Sequence, residues 1–426
     1  MSIWTSLYTG SSGLGAHGDA INVIGDNIAN VSTTGYKESR AGFADVLGDS
    51  SAINSAGDGV HMTGAEVSFG QGSLQQTGRP LDMAITGEGF FAVSGSHNGT
   101  TGTFFTRDGR FQLDNTNTVV NSNGLKLQGY MIDGAGTTAT SATDLQIGGQ
   151  SPPHATTTVK MAVNLDATTK INAGFNPASP TTTSDYHTSE TVYDSLGTSH
   201  TVDLFYRNAG GGSWEWHAMV DGGQLTGGQS GVPTEIANGT LGFTADGKLN
   251  TDVTLASSAS FVNATPNQAI TFNNGDPLSV AGNTGIAGTT QFAGISTVKA
   301  TNQDGFASGT LSNVSIAADG TISGQYSNGQ SRALARVSLA TFTSQQGLIR
   351  AGDQLFNSTP ASGEPLVAAA GTGARGGISG GSTEGSNVDL SNELVMLIAY
   401  QRAFSANSKT VQTADEMLQE ISSLKR

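Results

Sequence analysis

The chain has no cysteine, which excludes disulfide staples, thiolate metal ligands and thiol nucleophiles. Charge is sparse. Asp, Glu, Lys and Arg make up 12% of the residues, against roughly a quarter in an ordinary globular domain. The balance is acidic, 34 carboxylates to 19 Lys and Arg, for a net charge of −15. Basic residues stand singly apart from Lys425-Arg426, so no basic patch marks a nucleic-acid or anionic-membrane surface. No apolar run approaches the ~20 residues of a membrane span. The first basic residue is Lys37, and residues 1–36 supply neither the positive nor the apolar region of a secretory signal. The chain is therefore expected to stay in the cytoplasm or to leave by a route that uses no cleaved signal.

What the sequence does have is glycine, 59 in 426 residues, about twice the usual share. Ser, Thr and Asn fill much of the rest. Such chains build β-structure with many turns, because Gly and Asn tolerate the positive φ that tight turns need. The length suits two or three domains.

The two ends differ from the middle. Leu7, Leu14, Ile21 and Ile28 lie seven apart, with a second row of Ile3, Gly10, His17, Ile24 and Val31. This is a heptad seam interrupted by Gly10, Gly13, Gly15, Gly18 and Gly25, each costing a helix roughly 0.5–1 kcal/mol. At the other end Leu390, Leu397, Phe404, Val411 and Leu418 repeat at seven, flanked by Met396, Ala403, Thr410, Met417 and Leu424. Residues 386–426 hold neither Gly nor Pro. A helix of about 35 residues, some 50 Å long, is predicted there, capped by Ser386 or Asn387 with Asp389 in its first turn. One paired stripe leaves the remaining apolar rows to other copies of the chain. Nothing else in the sequence obviously covers the first helix, so residues 1–30 are expected to be disordered in a free subunit.

Between the ends, strands are predicted at 81–85, 89–93, 104–113, 201–206, 213–220 and 333–342. Turns are marked by Asp108-Gly109, Asn123-Gly124, Asp246-Gly247, Asp319-Gly320 and Asn328-Gly329. The fold class is thus mainly β with terminal α-helices, its β-rich domains discontinuous. Residues 1–31 and 387–426 form an inner, coiled-coil-like helical domain and 32–75 a connecting segment. A β-rich middle domain spans 76–150 and 300–375, an outer β domain is inserted at 151–299, and 371–385 reads as a Gly-rich linker. The low charge and abundant Ser, Thr, Asn and Gly of residues 150–300 suit polar contacts between outer domains.

Enzymatic patterns lack their context. Gly13, Gly15 and Gly18 fit the spacing of a dinucleotide loop, with Glu38 some 20 residues on, but no buried strand precedes them. An NAD-linked oxidoreductase is thus a remote alternative. Gly377-Ile378-Ser379-Gly380-Gly381 fits a nucleophile elbow, yet sits in the presumed linker. The seven His are dispersed without metal-ligand spacing, and Trp214 and Trp216 share a strand face suited to a core. No catalytic, cofactor or metal residue emerges.

Five blocks in order carry a resemblance. They are residues 12–43, with Asn27-Ile28-Ala29-Asn30 followed by Thr34-Gly35-Tyr36-Lys37, then 72–93, 105–114, 125–130 and 386–426. Over about residues 1–130 and 300–426 the chain resembles the flagellar rod and hook protein family; the first helix is expected to end in the Asn27–Lys37 segment, where Asn and Gly can take a left-handed conformation. The long insertion and TVYDSLGTSHTVDLFY (191–206) favour the hook branch, a distal rod protein being the alternative. Tyr400 departs from the Ala common at its position.

The resemblance implies a curved, flexible tubular homopolymer, a universal joint that transmits torque from rod to filament. Its subunits leave through the flagellar type III export apparatus to the hook outside the cell. The partners implied are the distal rod protein, the hook cap and the hook–filament junction proteins, with no cofactor, nucleic acid or membrane insertion. Leu7, Leu14, Ile21, Ile24, Ile28, Leu390, Leu397, Phe404, Val411 and Leu418 are the expected assembly residues. Lacking cysteine, the polymer is expected to be held non-covalently.

Overall fold

The computed structural model describes residues 3–47, 57–134 and 136–424. The chain is mainly β, with a helix at each end, and divides into two compact units. One comprises Met1–Gly149, Ser312–Gln325 and Ser331–Arg426, the other Gln150–Leu311 with Tyr326–Gln330.

The second unit is built on a six-stranded antiparallel meander. It runs Tyr186–Tyr193, Ser199–Gly210, Ser213–Asp221, Pro233–Phe243, Leu249–Ala259 and Gln268–Ala269. Alternation along Ser213–Asp221 buries Trp214 and Trp216 completely, beside Tyr206, Leu241 and Phe272. The unit reaches past the expected boundary at 299. Thr297–Gln303 pairs with Thr158–Asn164, and Ser151 pairs with Gly309, so main-chain ladders hold residues up to 311 to this unit.

The first unit carries a sheet in the order Ser331–Thr341, Lys126–Met131, Phe90–His97, Thr100–Thr106, Leu355–Asn357 and Ile349–Gly352. Its core is a set of phenylalanines. Phe69, Phe90, Phe105, Phe342 and Phe356 meet edge to face with ring centroids 4.8 to 5.9 Å apart, contacts worth roughly 0.5–1.5 kcal/mol each beyond their area. The predicted strand 104–113 is broken at Asp108-Gly109. There the Asp108 carboxylate grips Arg110, and Gly109 runs so close to Met83 that a Cβ would lie 1.5 Å from its carbonyl oxygen.

Two further expectations are corrected. Residues 371–385 are no linker. Gly377–Gly380 pairs with Met83–Thr86, and Ser382–Glu384 with Leu74–Gln76. The glycine that suggests flexibility serves close approach: a Cβ on Gly376 would stand 2.3 Å from the Thr86 carbonyl oxygen. Residues 32–75 do not merely connect. Ser39–Leu47 and Gly57–Val67 form an antiparallel hairpin, and the Val60 N–H donates to Ser12 Oγ at 3.2 Å, fixing the hairpin on the first helix.

The N-terminal helix spans Ile3–Ala29 and the C-terminal helix Leu390–Leu424. They pack antiparallel, Gly10 against Val411, Gly13 against Asn407 and Asn27 against Glu393. The buried seam of the first helix is Gly10, Gly13, Ala16, Ala20, Ile24 and Asn27, the first four small enough to let the backbones approach. The Leu7, Leu14, Ile21 and Ile28 row lies half-buried beside it. The row is therefore partly covered within its own chain. Asp389, rather than Ser386 or Asn387, caps the C-terminal helix: its Oδ1 accepts from the N–H groups of Ser391 and Asn392 at 2.9 and 3.3 Å.

This seam gives neighbouring glycines opposite roles. A Cβ on Gly13 would sit 2.6 Å from Asn407 Nδ2, whereas one on Gly15 meets nothing within 4 Å. Gly15→Ala is predicted to stabilise the helix pair by about 0.5–1 kcal/mol through helix propensity. Gly13→Ala is predicted to lose that gain and destabilise by about 1–3 kcal/mol through overpacking. Urea unfolding followed by far-ultraviolet circular dichroism checks the pair of signs.

Candidate assembly surface and the clamp behind it

Two polar clusters fasten the helix pair to the β-structure of its unit. The first centres on Asn27, which is fully buried. Its Oδ1 accepts from the Ser39 N–H at 2.9 Å and the Tyr36 hydroxyl at 3.2 Å. Its Nδ2 donates to the Ser39 carbonyl at 2.8 Å and to Glu393 Oε1 at 3.1 Å. One amide thereby joins the end of the first helix, the start of the hairpin and the first turn of the last helix.

The second centres on Glu384, also fully buried. Lys37 Nζ donates to its Oε1 at 2.6 Å, the Gly72 N–H to the same oxygen at 2.8 Å, and Arg107 Nη1 to Oε2 at 3.2 Å. Its main-chain oxygen accepts from the Gly35 N–H at 2.8 Å. Lys37 spends a second proton on the Gly70 carbonyl at 2.7 Å. Burial holds the Lys37 ammonium below the ordinary lysine range, with the Glu384 charge opposing that shift. Removing one partner of such a cluster leaves a buried charge uncompensated, typically at a cost of about 3–5 kcal/mol.

The signature residues are thus fasteners. Gly35 takes φ +71°, and a Cβ there would lie 2.6 Å from the Asp108 nitrogen. Tyr36 lies beneath the Arg350 guanidinium, 5.0 Å from ring centroid to Cζ. Asn30 does not end the helix in a left-handed conformation. Its N–H and Nδ2 both donate to the Asp26 carbonyl, at 3.1 and 2.9 Å, closing the last turn from outside. Ile28 is half-buried and Ala29 exposed. Tyr400 meets His17 and Phe43 at centroid distances of 5.8 Å, a three-ring contact uniting both helices and the hairpin. An Ala at this position would leave that contact unfilled.

The C-terminal helix presents two faces. Toward the first helix stand Leu397, Tyr400, Asn407, Val411, Ala414 and Leu418, buried or half-buried, with Glu393 at the head of the row. Met396 and Met417 of the expected flanking row are exposed instead, because the true second row is Glu393, Tyr400, Asn407 and Ala414. Only one of these four is a large apolar residue, which is why hydrophobic spacing missed the row. Away from the seam, Leu390, Leu394, Val395 and Ile398 are 43%, 45%, 65% and 50% exposed, and Phe404 is 41% exposed at the seam's edge. Such a cluster marks a surface for another protein chain. The glycines of the dinucleotide-like pattern lie in mid-helix, Gly13 and Gly18 toward Asn407 and Phe404. Ser379 of the elbow-like pattern lies in a strand paired with Ala84. In the inserted unit Leu255 and Ile295 are also exposed, so its surface is less uniformly polar than its composition suggests.

Four family models match the chain. They are "Flagella basal body rod protein" over residues 7–37, "Flagellar hook protein FlgE/F/G D1 domain" over 84–166, "Flagellar basal body protein FlaE D2 domain" over 164–306, and "Flagellar basal body rod FlgEFG protein C-terminal" over 379–424. The chain is 34% identical to the flagellar hook protein FlgE of Escherichia coli K12, covering 97% of this chain and 98% of that one. It is also 34% identical to the FlgE of Treponema pallidum, covering 99% of both. Among solved structures, a flagellar hook protein of Helicobacter pylori matches with a TM-score of 0.47 at 15% identity, over 71% of this chain and 98% of that one.

The Asn27 cluster yields a pH test. Burial holds the Glu393 carboxyl above its ordinary value of 4.5, with the Asn27 hydrogen bond opposing. A raised carboxyl binds its proton more tightly in the folded state. Its contribution is complete below pH 4.5 and is lost as pH rises through the folded value. Glu393→Gln keeps an acceptor for Asn27 and removes the buried charge. It is predicted to raise stability at pH 7 and to flatten this decline, read from urea midpoints between pH 4 and 8.

Proposed function

The chain belongs to the flagellar hook protein family and is a structural subunit of the flagellar hook; on that premise we propose how it assembles. The terminal helices bundle with those of other copies into a tube, and the β-rich units build its outer wall. The observation that carries this reading is the exposed apolar face of the C-terminal helix, Leu390, Leu394, Val395, Ile398 and Phe404. Full burial of a side chain of this size is worth roughly 1.5–3 kcal/mol, and a polymer repeats the gain in every subunit.

The tube is curved and flexible, a universal joint passing torque from rod to filament, and its subunits do no catalysis. Its ends meet the distal rod protein, the hook cap and the hook–filament junction proteins. Subunits reach the growing hook through the flagellar type III export apparatus. Subunits are held non-covalently, since there is no cysteine to link them. Bending requires neighbouring outer units to slide, which the Ser-, Thr- and Gly-rich surface of the inserted unit favours.

Phe404→Asp is the direct test. Phe404 touches Gly18 only at 4.0 Å for a Cβ built there, so the substitution spares the tight seam while placing a charge on the assembly face. The variant is predicted to remain a monomer with near-native β-structure and to form no tubes in electron micrographs, leaving cells non-motile. Ser408→Asp, at an exposed polar position, is predicted to assemble. Normal tubes from the Phe404 variant, or global unfolding of its β-structure, would contradict the assignment.

A further inference from the structure

An asparagine followed by glycine is prone to lose its side-chain amide, because glycine lets the next main-chain nitrogen approach the side-chain carbon. Five such pairs occur, at Asn98, Asn123, Asn238, Asn274 and Asn328. The fold treats them differently. Asn274 is 1% exposed, with its N–H and its amide on Asp252. Asn238 and Gly239 are paired on both sides, with His217 and Trp216 on one strand and Ala256 and Thr254 on the other. The Gly124 N–H is spent on the Asn121 carbonyl and the Gly329 N–H on the Tyr326 carbonyl, each at 3.0 Å. The Asn328 amide is also tied at both ends, to the Ala307 carbonyl at 2.8 Å and the Gln330 N–H at 3.1 Å.

Asn98-Gly99 carries none of these restraints. It forms the two-residue turn between Phe90–His97 and Thr100–Thr106, at φ +49° and +81°. Both residues are exposed, and a Cβ on Gly99 would meet nothing within 4 Å. Among the described residues the Gly99 N–H meets no acceptor. The Asn98 amide nitrogen lies 3.0 Å from His97 Nε2. That ring is held in place. Its side chain is 9% exposed and meets Phe104 edge to face at 5.7 Å. Its Nε2 stands 3.2 Å from the Ala351 carbonyl oxygen and 3.8 Å from Asp353 Oδ2. A carbonyl can only accept, so that contact puts a ring proton on Nε2, beside the amide.

We propose that Asn98 is a self-modification site, converted to aspartate and isoaspartate with His97 assisting. Hydroxide takes the Gly99 N–H proton, and the nitrogen attacks Asn98 Cγ. The new N–Cγ bond closes a five-membered succinimide ring as the Cγ–Nδ2 bond breaks. The departing nitrogen takes a proton from the protonated His97 ring and leaves as ammonia, and the ring regains its proton from water. Asp353 is the counter-ion of the protonated ring. A second water then opens the succinimide at either carbonyl. The net change is amide and water to carboxylate and ammonia, which adds a negative charge to a tip that already carries Asp353. The conversion needs no second copy of the chain.

The test holds full-length chain at 37 °C and pH 7.4 and follows all five pairs by mass spectrometry of their peptides, with isoaspartate read by enzymatic methylation. In the folded chain the Asn98 peptide is expected to convert first. In guanidinium chloride the five pairs are expected to convert at similar rates, which would assign the choice to the fold. His97→Gln is expected to slow Asn98 about tenfold, a modest share of what positioned proton transfer supplies, while Asn123 and Asn328 keep their rates. Asp353→Asn, at an exposed turn position that suits asparagine, removes the counter-ion and is expected to slow Asn98 as well. Conversion led by any other pair in the folded chain overturns the site. An Asn98 rate unchanged in both variants overturns the role of the ring.

Discussion

A fully buried carboxylate must be matched by donors or it will not stay buried. Glu384 meets that demand with donors drawn from across the sequence: Lys37, the Gly72 N–H and Arg107. None of these is close to it in the chain, so the cluster forms only when the segment after the first helix, the loop beyond the hairpin and the strand before the last helix are all in place. The penalty for an incomplete set makes the arrangement cooperative. Gly35 follows from the same constraint, since its N–H must reach the Glu384 carbonyl while its α-carbon passes against Asp108.

With the ends fixed at their roots, the helices themselves pack through small residues. Gly10, Gly13, Ala16 and Ala20 bring the backbones close but bury little side-chain area. The larger side chains are displaced to the flanks, half-buried or exposed. This division suits a polymer subunit. The single chain keeps enough contact to hold its helices in register, and leaves apolar area of the C-terminal helix exposed. The Asn27 and Glu384 clusters tie the helix pair to the β-structure of its unit.

The helices were legible because heptad spacing and the absence of Gly and Pro from 386–426 follow directly from helix geometry, and the strands because Asp-Gly and Asn-Gly pairs punctuate them. The seam was legible in part: Gly10 and Ile24 of the second N-terminal row and Leu397, Val411 and Leu418 of the C-terminal row lie along it, while the Leu7 row stands beside it. Hydrophobic spacing weights Leu and Ile, whereas close approach selects Gly13, Ala20 and Asn27, which carry no hydrophobic signal. Composition misled at 371–385, where glycine serves tight strand contact rather than freedom. Glu384 left one trace in the sequence, the lone acid of the Gly-rich stretch 371–385. Its partners Lys37 and Arg107 are joined to it only by the fold. The signature around Asn27 and Lys37 pointed to the right segment, but its role as fastener appears only with the hydrogen bonds.

The central claim is that the clamp is internal to each subunit and the outward face of the C-terminal helix belongs to its neighbours. A high-resolution electron cryomicroscopy map of the assembled tube tests both parts in one measurement. The account predicts that Leu394, Val395 and Ile398 lose their exposure to side chains of other copies. Lys37, Glu384 and Arg107, meanwhile, should keep their contacts within one chain. A map in which those three apolar residues face solvent, or in which Glu384 exchanges its cations for those of a neighbouring copy, would contradict it.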